Sequence, residues 1–258
     1  MSPLPESQTT SLATSTAEDV FIRDQSLCHE LIGKLSFSEM AFFLILGRKP
    51  TRAQHAVVDA CLVTLMEHGL TPSAITTRLT YTSAPEAMQA AVAAGLMGVG
   101  SLFAGTTEGC ALLLDRIVAA GVGADSEAER VAREHREARR PLPGFGHPLH
   151  KPDDPRALRL LELVEEHQLT GDHTRALLAL SRAVDQAYGK HITINATGAI
   201  AAALGDCGVP SRIMRGFALI ARCAGLVAHV HEEQQKPALR ALWEAGERAV
   251  LYDGKQGR

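Results

Sequence analysis

Residues 142–156, LPGFGHPLHKPDDPR, hold two histidines, a lysine, an arginine and two adjacent aspartates among two glycines and four prolines. That density of glycine and proline breaks regular structure and predicts a shaped loop. Gly144 and Gly146 let backbone N–H groups come close to a ligand. Lys151 adds a point charge, and Arg156 falls in the first turn of a following helix, where the helix N-terminus and nearby cations make an anion site. His147, between a glycine and a proline, can act near neutral pH as acid, base or hydrogen-bond donor. On composition alone the segment could equally be a connector whose histidines are incidental.

Two further stretches carry polar groups where a ligand could use them. In HITINATGAIAAAL (191–204), Asn195 and Thr197 precede a helix of small side chains and Gly198 permits close approach, although either residue could simply cap that helix. In RGFALIARCAGLVAHVHEE (215–233), Arg222 lies within an apolar helix face. A buried arginine is costly unless an anion pairs with it, and that anion is either an acidic side chain or a substrate carboxylate. His229 and His231 are two apart, point to different sides, and do not form an i,i+4 metal pair.

Helices must position these groups. KLSFSEMAFFLILG (34–47) has Ser36 as N-cap, Glu39 completing a capping box and Gly47 as stop. Residues 54–68 place Val58, Cys61, Leu62, Leu65 and Met66 on one face, with Gly69 ending the run. Helices are expected at 85–97 and 107–120. A charged surface helix follows at 126–140, with Glu129–Arg133 and Arg133–Glu137 pairs. Asp154 caps the next helix, Pro155 takes its first position, and Ala157, Leu160, Leu161 and Val164 form its apolar stripe. Helical periodicity returns at 174–189, 199–204 and 212–231, and no convincing strand alternation appears, so the fold class is all-α.

The 258 residues suit one large domain or two unequal ones, and 46% apolar against 21% charged residues supports a sizeable core. A net charge of −3 gives no global reason to expect nucleic acid. Five scattered cysteines, never in a CxxC pair, fit reduced thiols in a cytoplasmic protein better than disulfides or zinc. No metal-ligand spacing is found. The polar opening does not read as a signal peptide, and its first dozen residues are expected to be mobile. The uncharged run at 90–107 has the length of a membrane span, but four glycines and its alanine content favour a buried, closely packed helix.

The order GFGHPLHKPDDPRA, INATGAIAAAL, RGFALIARCAGLVAH resembles the citrate synthase superfamily, most closely its citryl-CoA lyase-like members. GKLSFSEMAFFLILGRKPT (33–51) and ERAVLYDG (247–254) are similar to the family's opening and closing motifs, so the likeness covers roughly residues 30–254. It implies a two-domain helical subunit that pairs as a homodimer, or assembles further. A large domain (1–106 and 196–258) would carry a small CoA-side domain (107–195). It also implies that His147 bonds the oxygen that becomes citrate's hydroxyl, that Arg156 and Arg222 clamp carboxylates with His150 beside them, and that Arg248 reaches a partner's site. Gly144, Phe145, Gly146 and Lys151 would meet the coenzyme A thioester, a substrate rather than a bound cofactor. Binding of a tricarboxylate thioester would account for both the anion site at Arg156 and the buried Arg222.

The sequence departs from the family where the acetyl carbon is handled. Ala104 stands at the enol-stabilising histidine and Thr197 at the proton-abstracting aspartate. Losing a proton-transfer group typically costs roughly 10²–10⁴-fold, which weighs against efficient citrate synthesis. Glu108, Thr107, Asn195 or Thr197 could substitute. Cleavage of a citryl-CoA-type thioester to an acyl-CoA and a 2-oxo acid, with His147 as base for the hydroxyl, asks least of this set. A condensation on another 2-oxo acid and a non-catalytic CoA-thioester binder are the alternatives.

Overall fold

The computed structural model describes residues 9–102 and 105–254. The chain opens with three short antiparallel strands, β1 (Ala13–Ser15), β2 (Val20–Ile22) and β3 (Gln25–Ser26), in the order β1-β2-β3, followed by one π-helical turn, Leu27–Leu31. Then come α1 (Phe37–Leu46), α2 (Arg52–Met66), α3 (Pro72–Ser83), α4 (Met88–Met97), α5 (Thr106–Ala119) and α6 (Ala124–Glu137). After the Gly/Pro-rich loop follow α7 (Pro155–Glu166), α8 (Asp172–Tyr188), α9 (Ala196–Asp206), α10 (Met214–Gln235) and α11 (Leu239–Ala249). The protein is all-α apart from the small opening sheet.

Local chemistry accounts for several helix ends. Ser36 and Glu39 form the expected capping box of α1, and Gly47 ends it in the left-handed region at φ 72°. Thr51 and Gln54 form a second capping box on α2. Asp154 caps α7 with Pro155 at its first position, and the Asn195 side chain accepts from the Thr197 and Gly198 amides at the start of α9.

The centre of the core is α9, in which every residue from Ala196 to Gly205 except Thr197 is buried. Its small side chains let α2, α5, α7 and α8 pack around it, with Leu114, Leu177, Leu180, Ile200 and Leu204 fully enclosed. Burying each such side chain contributes about 2 kcal/mol. A second cluster, Ala91, Val92, Leu226 and Val230, joins α4 to α10. Two glycines make close crossings possible. A Cβ on Gly95 would sit 2.0 Å from Thr77 Oγ1, and one on Gly225 would sit 2.0 Å from the Met66 carbonyl oxygen. The segment Ser211–Gln235 has the length and hydropathy to cross a membrane, but half of its apolar window is buried inside the protein.

Several expectations are corrected. The uncharged run at 90–107 is not one helix: α4 stops at Met97, which is 86% exposed, and the chain then turns. Helix α3 was not anticipated, nor were the strands, because β1 lies in the polar opening and each strand spans too few residues to show alternation. Helix α6 is not solvated all round, since Ala128, Val131 and Ala132 are buried and it packs against α8. Its ion pairs also differ from those expected. They join Arg130 to Glu127 and Glu134, and Arg116 of α5 to the same two carboxylates, while Glu129, Arg133 and Glu137 make no ion pair among the described residues. Ala104 and the first eight residues lie outside the described residues.

Candidate active site

A cavity of about 720 Å³ opens where α2, α3, α5, α7, α9 and α10 meet the 142–156 loop. His68, Thr106, Gly144, Phe145, Gly146, His147, Arg156, Asn195, Thr197 and Arg222 all line it. Among the described residues no aspartate or glutamate does, while Arg140, Arg156 and Arg222 bring positive charge. Starts of α3 (Thr71 to Ser73), α5 (Thr106), α7 (Arg156) and α9 (Thr197) also reach its wall, so four helix dipoles add to the positive field.

The loop is held by short-range pairing. Gly146 N–H donates to Thr193 O (2.7 Å), Asn195 N–H donates to Gly144 O (3.0 Å), and Phe145 bridges to Ile194. Gly144 must be glycine. Its φ is +86°, and a Cβ would lie 2.5 Å from Cys110 Sγ and 3.0 Å from Gly198 Cα.

His147 stands at the loop's turn. Its Nδ1 accepts from the backbone N–H groups of Leu149 (3.2 Å) and His150 (3.0 Å), so in the neutral ring the proton sits on Nε2. Burial, then the neighbouring His150 and Arg156, push the imidazole below its ordinary pKa, which favours that neutral form at pH 7. Nε2 lies 3.3 Å from Arg156 Nη2, leaving two donors side by side. An oxygen acceptor completes that pair. This changes the expected mode of His147, which in its resting form offers a proton to an oxygen rather than a lone pair to a hydroxyl.

Arg156 is aimed by Asp154, a fully buried carboxylate. Asp154 accepts from Arg156 N (3.0 Å), Nε (3.0 Å) and Nη2 (2.7 Å), and from Ala196 N (3.1 Å). It thus joins the starts of α7 and α9. Burial alone would raise its pKa, but these bonds hold the carboxyl below the usual range.

Arg222 is 8% exposed, and its Nη1 has no hydrogen-bond partner among the described residues. Glu67 Oε2 lies 3.7 Å away, close enough to offset the charge and too far to bond it. The sequence left two partners open for Arg222. The acidic neighbour is present, and the donor stays free. Glu67 is placed by the Gly225 crossing, accepts from the His68 and Gly69 amides, and lies 3.0 Å from His229 Nε2. Behind it Arg78 donates to His229 Nδ1 (3.0 Å) and to Glu233 (2.7 Å), tying α3 to α10.

His68 was missed by sequence reasoning. Its ring centroid lies 5.9 Å from that of His147, and Arg156 Nη1 lies 3.4 Å from its Nδ1. Burial, then Arg156, pushes its pKa down. The sequence around it gave little local signal: His68 precedes Gly69, with Thr71 and Pro72 at the next helix start, whereas His147 lies between Gly146 and Pro148. His68, His147 and His150 also bring three imidazole nitrogens within 4.8 Å of one another.

Other predicted residues lie elsewhere or serve structure. His150 stacks on His147 at 4.4 Å. Thr197 accepts from Thr106 Oγ1 (2.9 Å) and donates to Asn195 Oδ1 (2.7 Å), while Asn195 Nδ2 donates to Gly146 O (3.0 Å), so Asn195 caps the helix, Thr197 lies in its first turn, and both line the cavity. Glu108 does not line the cavity; its carboxylate lies 2.9 Å from Arg215 Nε. Lys151 is exposed and off the lining. Arg248 is exposed on α11, 3.9 Å from Glu244. Thr107 is buried.

Comparison with known proteins bears on the family and the fold. Residues 16–242 match the family described as citrate synthase, C-terminal domain. The citryl-CoA lyase of Hydrogenobacter thermophilus superposes with a TM-score of 0.87 at 30% identity, over 97% of this chain and 96% of that one. The ATP citrate lyase of Methanothrix soehngenii, solved with citrate and coenzyme A, shares the fold at a TM-score of 0.81, with 16% identity over 98% of this chain and 42% of its own. A citrate synthase from Heyndrickxia coagulans is 27% identical over 78% of this chain and 53% of its own length. The chain spans about half the length of the curated relatives it matches. With this match to more than half its residues, the chain belongs to the citrate synthase family.

Proposed function

We propose that this cavity cleaves a citryl-CoA-type thioester, releasing an acyl-CoA and a 2-oxo acid. The observation that carries the reading is the donor pair His147 Nε2–H and Arg156 Nη2, with Arg222 on the same lining and its buried Nη1 unbonded among the described residues, in a cavity whose described lining has no carboxylate. Arg222 would take a substrate carboxylate. The paired donors would hold the tertiary oxygen as its C–C bond breaks and it becomes a carbonyl. Because His147 Nε2 already carries its proton, water entering the cavity would take the hydroxyl proton and return one to the departing acyl carbon, so the step needs no net proton. The Thr106–Thr197 hydroxyl pair is placed to meet the enolate oxygen.

Cleavage and condensation share the same enolate and the same transition states, so a lining without a carboxylate base bears on both directions alike, and the reading takes the cleavage direction. The likeness to the Hydrogenobacter citryl-CoA lyase across nearly its whole length supports the same choice. The homodimer, a cleft between the large and small domains, the cytoplasmic setting and contact of coenzyme A with Gly144, Phe145 and Gly146 belong to this proposal.

The test mixes purified protein with citryl-CoA and follows oxaloacetate through malate dehydrogenase and NADH. Rapid release, reduced about 10²-fold or more in His147→Ala, is expected. Turnover by His147→Ala equal to the parent's would overturn the assignment. No release by the parent chain, with the thioester still bound, would leave a binding protein.

A further inference from the structure

Glu67 is near enough to Arg222 for an ion pair and does not close it. Its Oε2 stands 3.7 Å from Arg222 Nη1, and that buried donor has no hydrogen-bond partner among the described residues. A carboxylate so close to a buried guanidinium ordinarily closes to a charge-assisted bond of about 2.7–2.9 Å. Burial pushes the Arg222 guanidinium below its ordinary pKa, and Glu67 offsets only part of that.

Two restraints act on the Glu67 carboxylate. Its Oε1 accepts from the backbone N–H groups of His68 (2.8 Å) and Gly69, which fixes one end. Its Oε2 faces His229 Nε2 at 3.0 Å, nearer than Arg222, although not at a hydrogen-bonding angle. The His229 ring is itself fixed. Nδ1 accepts from Arg78 Nε (3.0 Å), and a guanidinium has only donors, so the proton of the neutral ring sits on Nε2, the atom beside Glu67. Arg78 is 4% exposed and bonds Glu233 (2.7 Å) and Glu232, while Glu233 accepts from the Ala238 and Leu239 amides where α11 begins. Gly225 leaves the room that Glu67 occupies, since a Cβ there would meet Oε2 at 3.1 Å. Of these residues only Arg222 lines the cavity, together with His68.

We propose that His229 is a positioning residue: it competes with Arg222 for one oxygen of Glu67 and so keeps the Arg222 guanidinium open to a carboxylate in the cavity. That this carboxylate belongs to the substrate rests on the function proposed above; the spacing of Glu67 from Arg222 does not. Without the Nε2 donor, Oε2 has one buried donor left within reach and swings onto it. Arg222 is then satisfied inside the protein, and a ligand carboxylate has to displace Glu67.

The experiment compares the parent with His229→Asn and His229→Gln. Asparagine keeps an acceptor for Arg78 and is too short to reach Glu67, whereas glutamine puts an N–H where Nε2 stood. Crystal structures read the spacing directly. Glu67 Oε2 to Arg222 Nη1 should shorten from 3.7 Å to hydrogen-bond distance in His229→Asn and stay open in His229→Gln. Calorimetry with oxaloacetate reads the consequence: affinity about 10-fold or more weaker in His229→Asn, near the parent's in His229→Gln, and recovered in His229→Asn/Glu67→Gln. In that double variant the new carbonyl keeps the His68 and Gly69 amides, and its NH2 group faces Arg222 without capturing it. In citryl-CoA turnover, His229→Asn should raise KM about 10-fold with kcat close to the parent's, because the lost contact is made equally in ground and transition states; a merely structural defect lowers kcat instead. An open pair in His229→Asn overturns the proposal, and so does affinity lost in His229→Asn and not recovered in the double variant. A closed pair with oxaloacetate binding unchanged, or absent from the parent, leaves His229 as the spacer and removes Arg222 from substrate binding, so the function proposed above loses its carboxylate seat.

Discussion

Asp154→Asn tests whether one buried carboxylate aims the site. Asp154 is fully buried and accepts four hydrogen bonds, three from Arg156 and one from Ala196. Asparagine keeps one acceptor oxygen. If that oxygen stays on Arg156 N and Nε, the new NH2 group faces Arg156 Nη2 and Ala196 N–H, so two accepted bonds become donor–donor contacts. Removing one partner of a buried pair costs about 3–5 kcal/mol, with an unpaired buried donor accounting for about 1–3 of that. The Arg156 side chain is 28% exposed, so water recovers part of the loss and the expected destabilisation is about 2–3 kcal/mol. Denaturant unfolding at pH 7 reads it as a lower midpoint at unchanged slope. The pH dependence is a second check. The Asp154 pKa is held below its ordinary value, so its contribution is complete above the unfolded carboxyl range, about pH 4, and disappears as pH falls through the folded value. The gap between parent and variant should therefore be full at pH 7 and close in acid. A gap under about 0.5 kcal/mol at pH 7, or one that widens in acid, refutes this account of Asp154.

The glycine contacts predict opposite signs at two positions. Gly144→Ala, with φ +86° and a Cβ 2.5 Å from Cys110 Sγ, should lose about 2–4 kcal/mol in thermal unfolding. Gly216→Ala, whose Cβ meets only ordinary contacts at 3.7 Å within α10, should gain up to about 1 kcal/mol in the same assay. His173 lies 3.0 Å from Asp115 and 3.5 Å from Asp206, and Asp206 first and Asp115 second raise its pKa. Its stabilisation is complete below the unfolded value, about pH 6.5, and is lost as pH rises through the folded one. His173→Gln should thus destabilise more at pH 6 than at pH 9 in parallel denaturant titrations. Arg222→Gln should weaken binding of a dicarboxylate such as oxaloacetate about 10-fold or more by calorimetry, while leaving the fold intact.

What the sequence made legible was chemistry completed within a few residues. Ser36 with Glu39, Asp154 with Pro155 and Asn195 before its small-residue helix each satisfy helix ends locally, and all three caps form as expected. Even there only half of the role was visible. That Asp154 caps α7 follows from its neighbours; that its other oxygen accepts from Ala196, 42 residues on, follows only from the packing of α7 against α9. The α6 ion pairs failed for a related reason. Spacing of four allowed Glu129–Arg133, but Arg116 arriving from α5 recruits Glu127 and Glu134 instead.

The site shows the same division between local and distant information. His147, Arg156 and Arg222 sit in recognisable stretches, and the structure brings all three to one cavity. His68 belongs to no stretch that looked chemical, because the residues that give it meaning, Arg156 and Glu67's link to Arg222, meet it only after Gly225 lets α10 cross α2 at backbone contact. The mode of His147 was equally hidden, for nothing in the order of residues says that two backbone N–H groups will take Nδ1 and leave Nε2 the donor. That detail sets the demand on any substrate. A ring whose resting proton faces Arg156 calls for an oxygen able to accept from both, and the tertiary oxygen of the proposed citryl-type thioester accepts best as the alkoxide, before its charge moves into the enolate and it becomes a carbonyl. The paired donors therefore act most strongly where the hydroxyl gives up its proton, the step that opens cleavage.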